Sequence, residues 1–221
     1  GEGDNHSSGH ALRTAEDVDG DGLADFVIGA RRVSVGAEEG GAMYLVLGAS
    51  LGAVGSTISL SDADHRFVGE VEMGWVGYQA AGAGDVDNDG LSDIMAGAHM
   101  THGETGRVYL MLGSSIAALA KGSHGLNDAD MRFDGEHEIN HAGRSIASAG
   151  DVDADGHTDL IFGARHHEDG VGRSYLNLGG TLTRGAHDLA DSDYIFDGEE
   201  HLDEAGYTVS GAGDVNGDGL D

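Results

Sequence analysis

Short apolar runs of three to five residues recur along this chain, separated by stretches rich in glycine and aspartate. No segment sustains the spacing of an amphipathic helix. Residues 26–28, 94–96 and 160–162 (Phe-Val-Ile, Ile-Met-Ala, Leu-Ile-Phe) are continuous apolar runs of the buried-strand type. Small, β-compatible segments precede them at 11–15, 78–81 and 145–148, with a fourth at 208–210, and read as first strands. A third strand follows at 43–47, 108–112 and 174–178, each closed by glycine, and a last short strand surrounds Phe67, Phe133 and Phe196. Residues 116–120 read as a helical turn. Tyr44, Tyr109 and Tyr175 recur in phase inside the third strands. They are predicted to be buried at equivalent positions, well below the exposure of His99, His102, His166 and His167.

Between the first and second strands lies an acidic loop. Its copies are Asp17-Val-Asp-Gly-Asp-Gly-Leu-Ala-Asp25, Asp85-Val-Asp-Asn-Asp-Gly-Leu-Ser-Asp93 and Asp151-Val-Asp-Ala-Asp-Gly-His-Thr-Asp159. A fourth runs from Asp214 to Asp221, and the copies start 68, 66 and 63 residues apart. A Gly-Glu pair (Gly1, Gly69, Gly135, Gly198 and the residue after each) stands sixteen residues ahead of each loop. Four short strands per repeat, with glycine-rich turns, predict an all-β chain of four-stranded propeller blades. The repeats are drawn at 1–68, 69–134 and 135–197, with a partial fourth at 198–221. The chain begins where a last strand would have ended and stops inside a loop. That register suggests a window on a larger propeller or repeat array, or an open stack.

The loop chemistry points to calcium. Carboxylates at positions 1, 3, 5 and 9 (Asp17, Asp19, Asp21, Asp25; Asp85, Asp87, Asp89, Asp93; Asp151, Asp153, Asp155, Asp159) offer many hard oxygens, with glycine at the bend. The backbone carbonyl of Leu23, Leu91 or His157 would add one more. In the fourth copy Asp214, Asn216 and Asp218 fill the first three ligand positions, so three to four ions are expected. An EF-hand is excluded, because its twelfth position falls on Ile28, Ala96 and Phe162, inside apolar runs. A single Asp-Gly segment could be a solvated turn; three complete copies in phase argue for a cation.

Forty acidic against eleven basic residues give a formal charge of −29. Such a surface repels nucleic acid and anionic lipid, so neither binding to nucleic acid nor insertion into a membrane is expected. Cysteine is absent, and repeated metal loops can take the place of disulfides in an extracellular setting. Proline is absent as well, without an evident physical reason.

A Phe-x-Gly turn, an Asp-x-Asp-x-Asp-Gly-x-x-Asp loop and an apolar strand ending in Gly-Ala together resemble the FG-GAP repeats of integrin α-subunit propellers and their bacterial relatives. The resemblance covers essentially the whole chain. It implies a calcium-stabilised β-propeller, secreted or at a cell surface, with the loop aspartates as ligands. Two features depart from the family. Arg31, His99 and Arg165 follow Gly-Ala where proline is usual, and the Phe and Gly are spaced as in Phe67-Val-Gly69, Phe133-Asp-Gly135 and Phe196-Asp-Gly198.

Strand direction places the remaining loops on the face opposite the acidic ones. They carry His6, Trp75, His99, His102, His137, His141, His166, His167 and His201, with Arg31, Arg32 and Arg165. This face is the candidate ligand surface, or else a set of exposed polar loops whose substitution leaves stability nearly unchanged. The Asp-x-Asp pairs ending at Asp64, Asp130 and Asp193 are read as turn caps. Asn5-His6-Ser7 is a lone glycosylation sequon. The leading functional reading is a non-catalytic adhesion or surface-scaffold module that binds an extracellular protein, a glycan or further copies of itself. The alternatives are a structural fibre subunit, and a propeller hydrolase acting through the His-rich face.

Overall fold

The computed structural model describes residues 6–221. The first Gly-Glu pair and Asn5 of the sequon lie outside them. The first blade comprises β1 (Ser8–Glu16), β2 (Asp25–Ala30), β3 (Ala42–Val46) and β4 (His65–Val68), antiparallel in that order. In the second, β5 (Gln79–Gly84), β6 (Asp93–Gly97) and β7 (Arg107–Met111) are followed by a short strand β8 (Gly122–Gly125) and then the outer strand β9 (Met131–Asp134). The third repeats the plan with β10 (Ser145–Gly150), β11 (Asp159–Ala164), β12 (Arg173–Asn177), β13 (Gly185–Asp188) and β14 (Tyr194–Asp197). The register is the same in all three: Tyr44 lies between Ile28 and Arg66, Tyr109 between Ala96 and Arg132, and Tyr175 between Phe162 and Ile195.

The blades stack face to face, so the middle strands of the second are covered on both sides, and in the first Val33, Val35, Leu60 and Ala63 from its own loops cover the face that carries Tyr44. All five residues of β3 and of β7 are buried, which is why these strands read as unbroken apolar runs rather than alternating ones. One core lies between blades one and two (Val27, Met43, Leu45 and Phe67 against Ile94, Tyr109 and Met111), and a second between blades two and three (Met95, Leu110 and Phe133 against Leu160 and Phe162). Tyr44, Tyr109 and Tyr175 are buried, as expected. The inner strands converge, which explains their small residues: a Cβ on Gly82 would come within 3.0 Å of Ala15 Cα.

Three features differ from expectation. Residues 208–210 are not a strand. The helical turn occupies Gly113–Ala117, and its counterparts are single 3₁₀ turns at Gly48–Ser50 and Gly179–Thr181. The sequence reading also missed β8 and β13. Each leaves its own blade and pairs in parallel with the outer strand of the blade before it, β8 with β4 and β13 with β9. His187 stacks on Phe133 with ring centres 5.0 Å apart. Lys121 and Arg184, just ahead of these strands, pair with Asp64 and Asp130. Asp64, Asp130 and Asp193 also accept the N–H that follows each third strand (Leu47, Leu112, Leu178). They are turn caps, but they cap a turn earlier in the chain.

Candidate metal centres and the opposite face

In each complete loop the first, third and ninth aspartates converge: one carboxylate oxygen from each of Asp17, Asp19 and Asp25 lies within 4.8 Å of the others, as do those of Asp85, Asp87 and Asp93, and of Asp151, Asp153 and Asp159. The turn organises itself around its first residue. Asp17 accepts N–H bonds from Gly20, Asp21 and Gly22 at 2.8, 3.0 and 2.8 Å. The fourth and sixth positions are left-handed in every copy, which accounts for Gly22, Gly90 and Gly156 at the bend. The ninth aspartate is fully buried and bridges elements. Asp93 accepts from Val86 N–H and Gly113 N–H at 2.8 Å each, tying the loop to the end of β7. Burial pushes its carboxyl up to about 7, against the pull of those two N–H bonds. Asp25 and Asp159 are raised for the same reason.

The fifth aspartates stand apart from these trios. Asp21, Asp89 and Asp155 each accept the N–H of the seventh residue. His157 turns its ring to the neighbouring loop, with Nδ1 2.8 Å from the carbonyl of Val86. The fourth loop closes in the same way, Asp214 accepting from Gly217, Asp218 and Gly219, and Asn216 donates to Asp218 at 2.9 Å. Successive loops are also linked: Ser92 N–H donates to Asp17 C=O and Thr158 N–H to Asp85 C=O, both at 2.9 Å.

On the opposite face the candidate residues divide into two groups. Trp75, His99, His141 and His166 form one chain of ring contacts, with centres 5.8, 5.5 and 4.5 Å apart along it. His137 and His167 stack 6.2 Å apart beside Glu136, and His137, His166 and His201 line a groove formed by the β11–β12 turn and the loops before β10 and after β14. His102 instead approaches Arg107 at 3.5 Å. Exposed loops describe His102, His137 and His201 but not the buried His99, His141 and His167, whose rings fill space between blades. Averaged over the group, the Tyr–His contrast in exposure holds through His102 and His166, but His99 and His167 are as buried as the tyrosines, and replacing a buried ring here will cost stability. Sequence reading also missed Tyr78, Arg144 and Tyr207, which belong to the first group through contacts with guanidinium groups. Their signal is the position after an in-phase glycine (Gly77, Gly143, Gly206); Tyr78 falls inside the first strand read at 78–81, whereas Arg144 and Tyr207 lie one residue ahead of those at 145–148 and 208–210.

Comparison with known proteins matches the FG-GAP repeat at residues 8–46, 76–111 and 142–176, one match per blade. The chain belongs to the FG-GAP repeat family. It is similar to integrin alpha-PS5 of Drosophila melanogaster (30% identity over 154 residues) and integrin alpha-4 of Xenopus laevis (29% over 154), in each case across 68% of this chain and 14% of the relative. Integrin alpha-5 of Xenopus laevis is 27% identical across 85% of this chain and 17% of its own length. The chain thus spans about one seventh of the first relatives it matches. The Gly-Ala of each FG-GAP unit has a steric reason. A Cβ on Gly29, Gly97 or Gly163 would lie 2.0–2.1 Å from the carbonyl oxygen of Gly77, Gly143 or Gly206 in the next unit. Backbones touch there, and no side chain fits.

The FG-GAP loops also fit a hard divalent cation. Three carboxylates converge in each, and Asp87 Oδ1 is shielded from water with no hydrogen-bond partner. The Glu136–His137–His167 group is a poorer host, since Glu136 Oε1 already accepts from Arg173 at 2.8 Å and Tyr175 at 2.7 Å.

Proposed function

We propose that this chain is a calcium-stabilised extracellular repeat module, secreted or displayed at a cell surface, that acts in adhesion or scaffolding and catalyses no reaction. The observation that carries the reading is the threefold recurrence of a converging aspartate trio at one end of successive blades. Calcium would be held by the carboxylates of positions 1, 3 and 9, with the position-7 carbonyl and position 5 completing its shell. The ion supplies positive charge where carboxylates otherwise repel, so its binding energy becomes folding energy. The ninth aspartate couples that charge to the end of the third strand, and the loop-to-loop bonds couple one blade to the next. Similarity to integrin α chains supports the adhesive part, and the partner is an extracellular protein or glycan, or further copies of the chain.

Calorimetric titration with Ca²⁺ and with Mg²⁺ tests the metal assignment. About three sites preferring calcium are expected, because its larger shell suits this donor set; equal binding of magnesium would refute it. Adhesion is tested with beads carrying the chain, layered on extracellular-matrix proteins and on cells. Attachment should occur in calcium and disappear in chelator, and attachment indifferent to calcium would count against the proposal. For catalysis, wild type and a His102→Ala, His137→Ala, His166→Ala, His201→Ala variant are assayed against esterase, phosphatase and glycosidase substrates. Turnover lost in the variant would identify an enzyme.

A further inference from the structure

In a chain of charge −29, arginines without carboxylate partners are unexpected, and two of them lie together. Arg31 and Arg144 make no ion pair among the described residues. They flank the same ring: their guanidinium carbons are 5.6 and 5.3 Å from the centre of Tyr78. The alternation continues on both sides. Arg31 also lies 5.0 Å from Trp75, and Tyr207 sits between Arg144 at 4.7 Å and Arg165 at 5.1 Å. Arg165 alone has an acidic neighbour, Glu204 at 3.4 Å. His99 packs beneath at 4.3 Å from Tyr78. Burial, then His141 and the three arginines, push its imidazole down to about 3, so it adds no charge. The Nε atoms of Arg31 and Arg165 and Nδ1 of His99 are shielded from solvent and lack partners.

Arg31, His99 and Arg165 occupy the position after Gly-Ala, and Trp75 and His141 are held in a left-handed backbone (φ 54° and 58°) that a bulky residue adopts only at a cost. Stacking on an aromatic ring fixes a guanidinium plane and leaves its in-plane N–H groups free, which suits a planar, bidentate acceptor.

We propose that Arg31 and Arg144, set around Tyr78, form a recognition site for a single carboxylate of a protein ligand, an acidic side chain or a C-terminus, with Trp75 and Tyr207 as flanking walls. A polyanion such as a sulfated glycan is disfavoured, because the rest of the acidic surface would repel it while a lone carboxylate meets mainly the local pair. The proposal deepens the ligand-face reading and rests on it.

Trp75 is the only tryptophan, so its fluorescence reports this site alone. The calcium-loaded chain is titrated with benzoate, with neutral benzamide and with sulfate, to about tenfold above a millimolar dissociation constant. Benzoate should give a saturable change, benzamide and sulfate none, and Arg31→Gln or Arg144→Gln should weaken benzoate at least about tenfold. Arg144→Lys, which keeps the charge and loses the fork, should weaken it too. Circular dichroism and calcium titration of each variant check that the fold is retained. Absence of a benzoate response, equal affinity in properly folded variants, or equal binding of sulfate would each overturn the proposal. Loss of benzoate binding with calcium-dependent bead attachment intact removes this site alone. Benzoate binding without attachment upholds the site and removes the adhesion reading.

Discussion

The fourth position of every acidic loop has a left-handed backbone, and the four copies meet that demand unequally. Gly20 and Gly217 adopt it freely and Asn88 tolerates it, but Ala154, at φ 59°, carries a Cβ into a region that costs an alanine about 1 kcal/mol or more. Replacing Ala154 by Gly should therefore raise stability by about 0.5–1 kcal/mol, after the extra entropy of the unfolded chain is subtracted. A higher denaturant midpoint at unchanged slope, measured in calcium, would show it. His99 gives a second test. Its folded pKa lies far below the unfolded value of about 6.5, so below that value the unfolded state binds the extra proton and stability falls with pH. A loss of a few kcal/mol is expected between about pH 6.5 and 4, and His99→Phe, which keeps a ring against Tyr78, should lack that part of the loss. At this scale the acidic loops are legible in the sequence, because the aspartates that converge in each lie within nine residues of one another. The burial of His99, His141 and His167 is not, because blades distant in sequence provide the walls.

Blade strands can be read from the chain wherever burial on both faces forces an apolar run, as in β3 and β7. β8 and β13 escape such reading for a physical reason. Gly-Ser-His-Gly and Gly-Ala-His-Asp have no strand composition, and they become strands only because β4 and β9 offer an open edge. Their anchors were visible only as isolated charges, among them the single lysine. Lys121 pairs with the buried Asp64 of the preceding blade. Burial pushes the Asp64 carboxyl up, but bonds from Lys121, Ser50 and Leu47 outweigh it and hold the carboxyl below its usual range. Such a group stabilises the fold above its unfolded pKa of about 3.9, and the contribution is lost as pH falls through the lower folded value. Lys121→Ala should cost about 1 kcal/mol at pH 7, since the lysine itself is largely exposed. The gap between wild type and variant in thermal or urea unfolding should close below about pH 4.

For the molecule as a whole, calcium could act by lowering the total charge or by neutralising three local clusters, and salt separates the two. Three ions would offset six of the 29 net negative charges, so the long-range field would remain strongly acidic. Within a loop the carboxylate oxygens lie no more than 4.8 Å apart, a spacing at which a pair of charges repels by on the order of 3 kcal/mol at an effective dielectric of 20. The Debye length is about 10 Å at 0.1 M salt and about 3 Å at 1 M. Moderate salt therefore screens blade against blade but not the carboxylates of one loop against each other. Chelating calcium at low ionic strength should abolish cooperative unfolding, with the whole stack failing together because the loops are bonded in series. Adding 0.1 M NaCl to the chelated protein should restore little, 1 M NaCl should restore part, and calcium at low salt should restore all of it. Melting followed by circular dichroism under these four conditions decides the matter. Full recovery at 0.1 M NaCl without calcium would mean that the net charge, and not the aspartate clusters, is what the ion relieves.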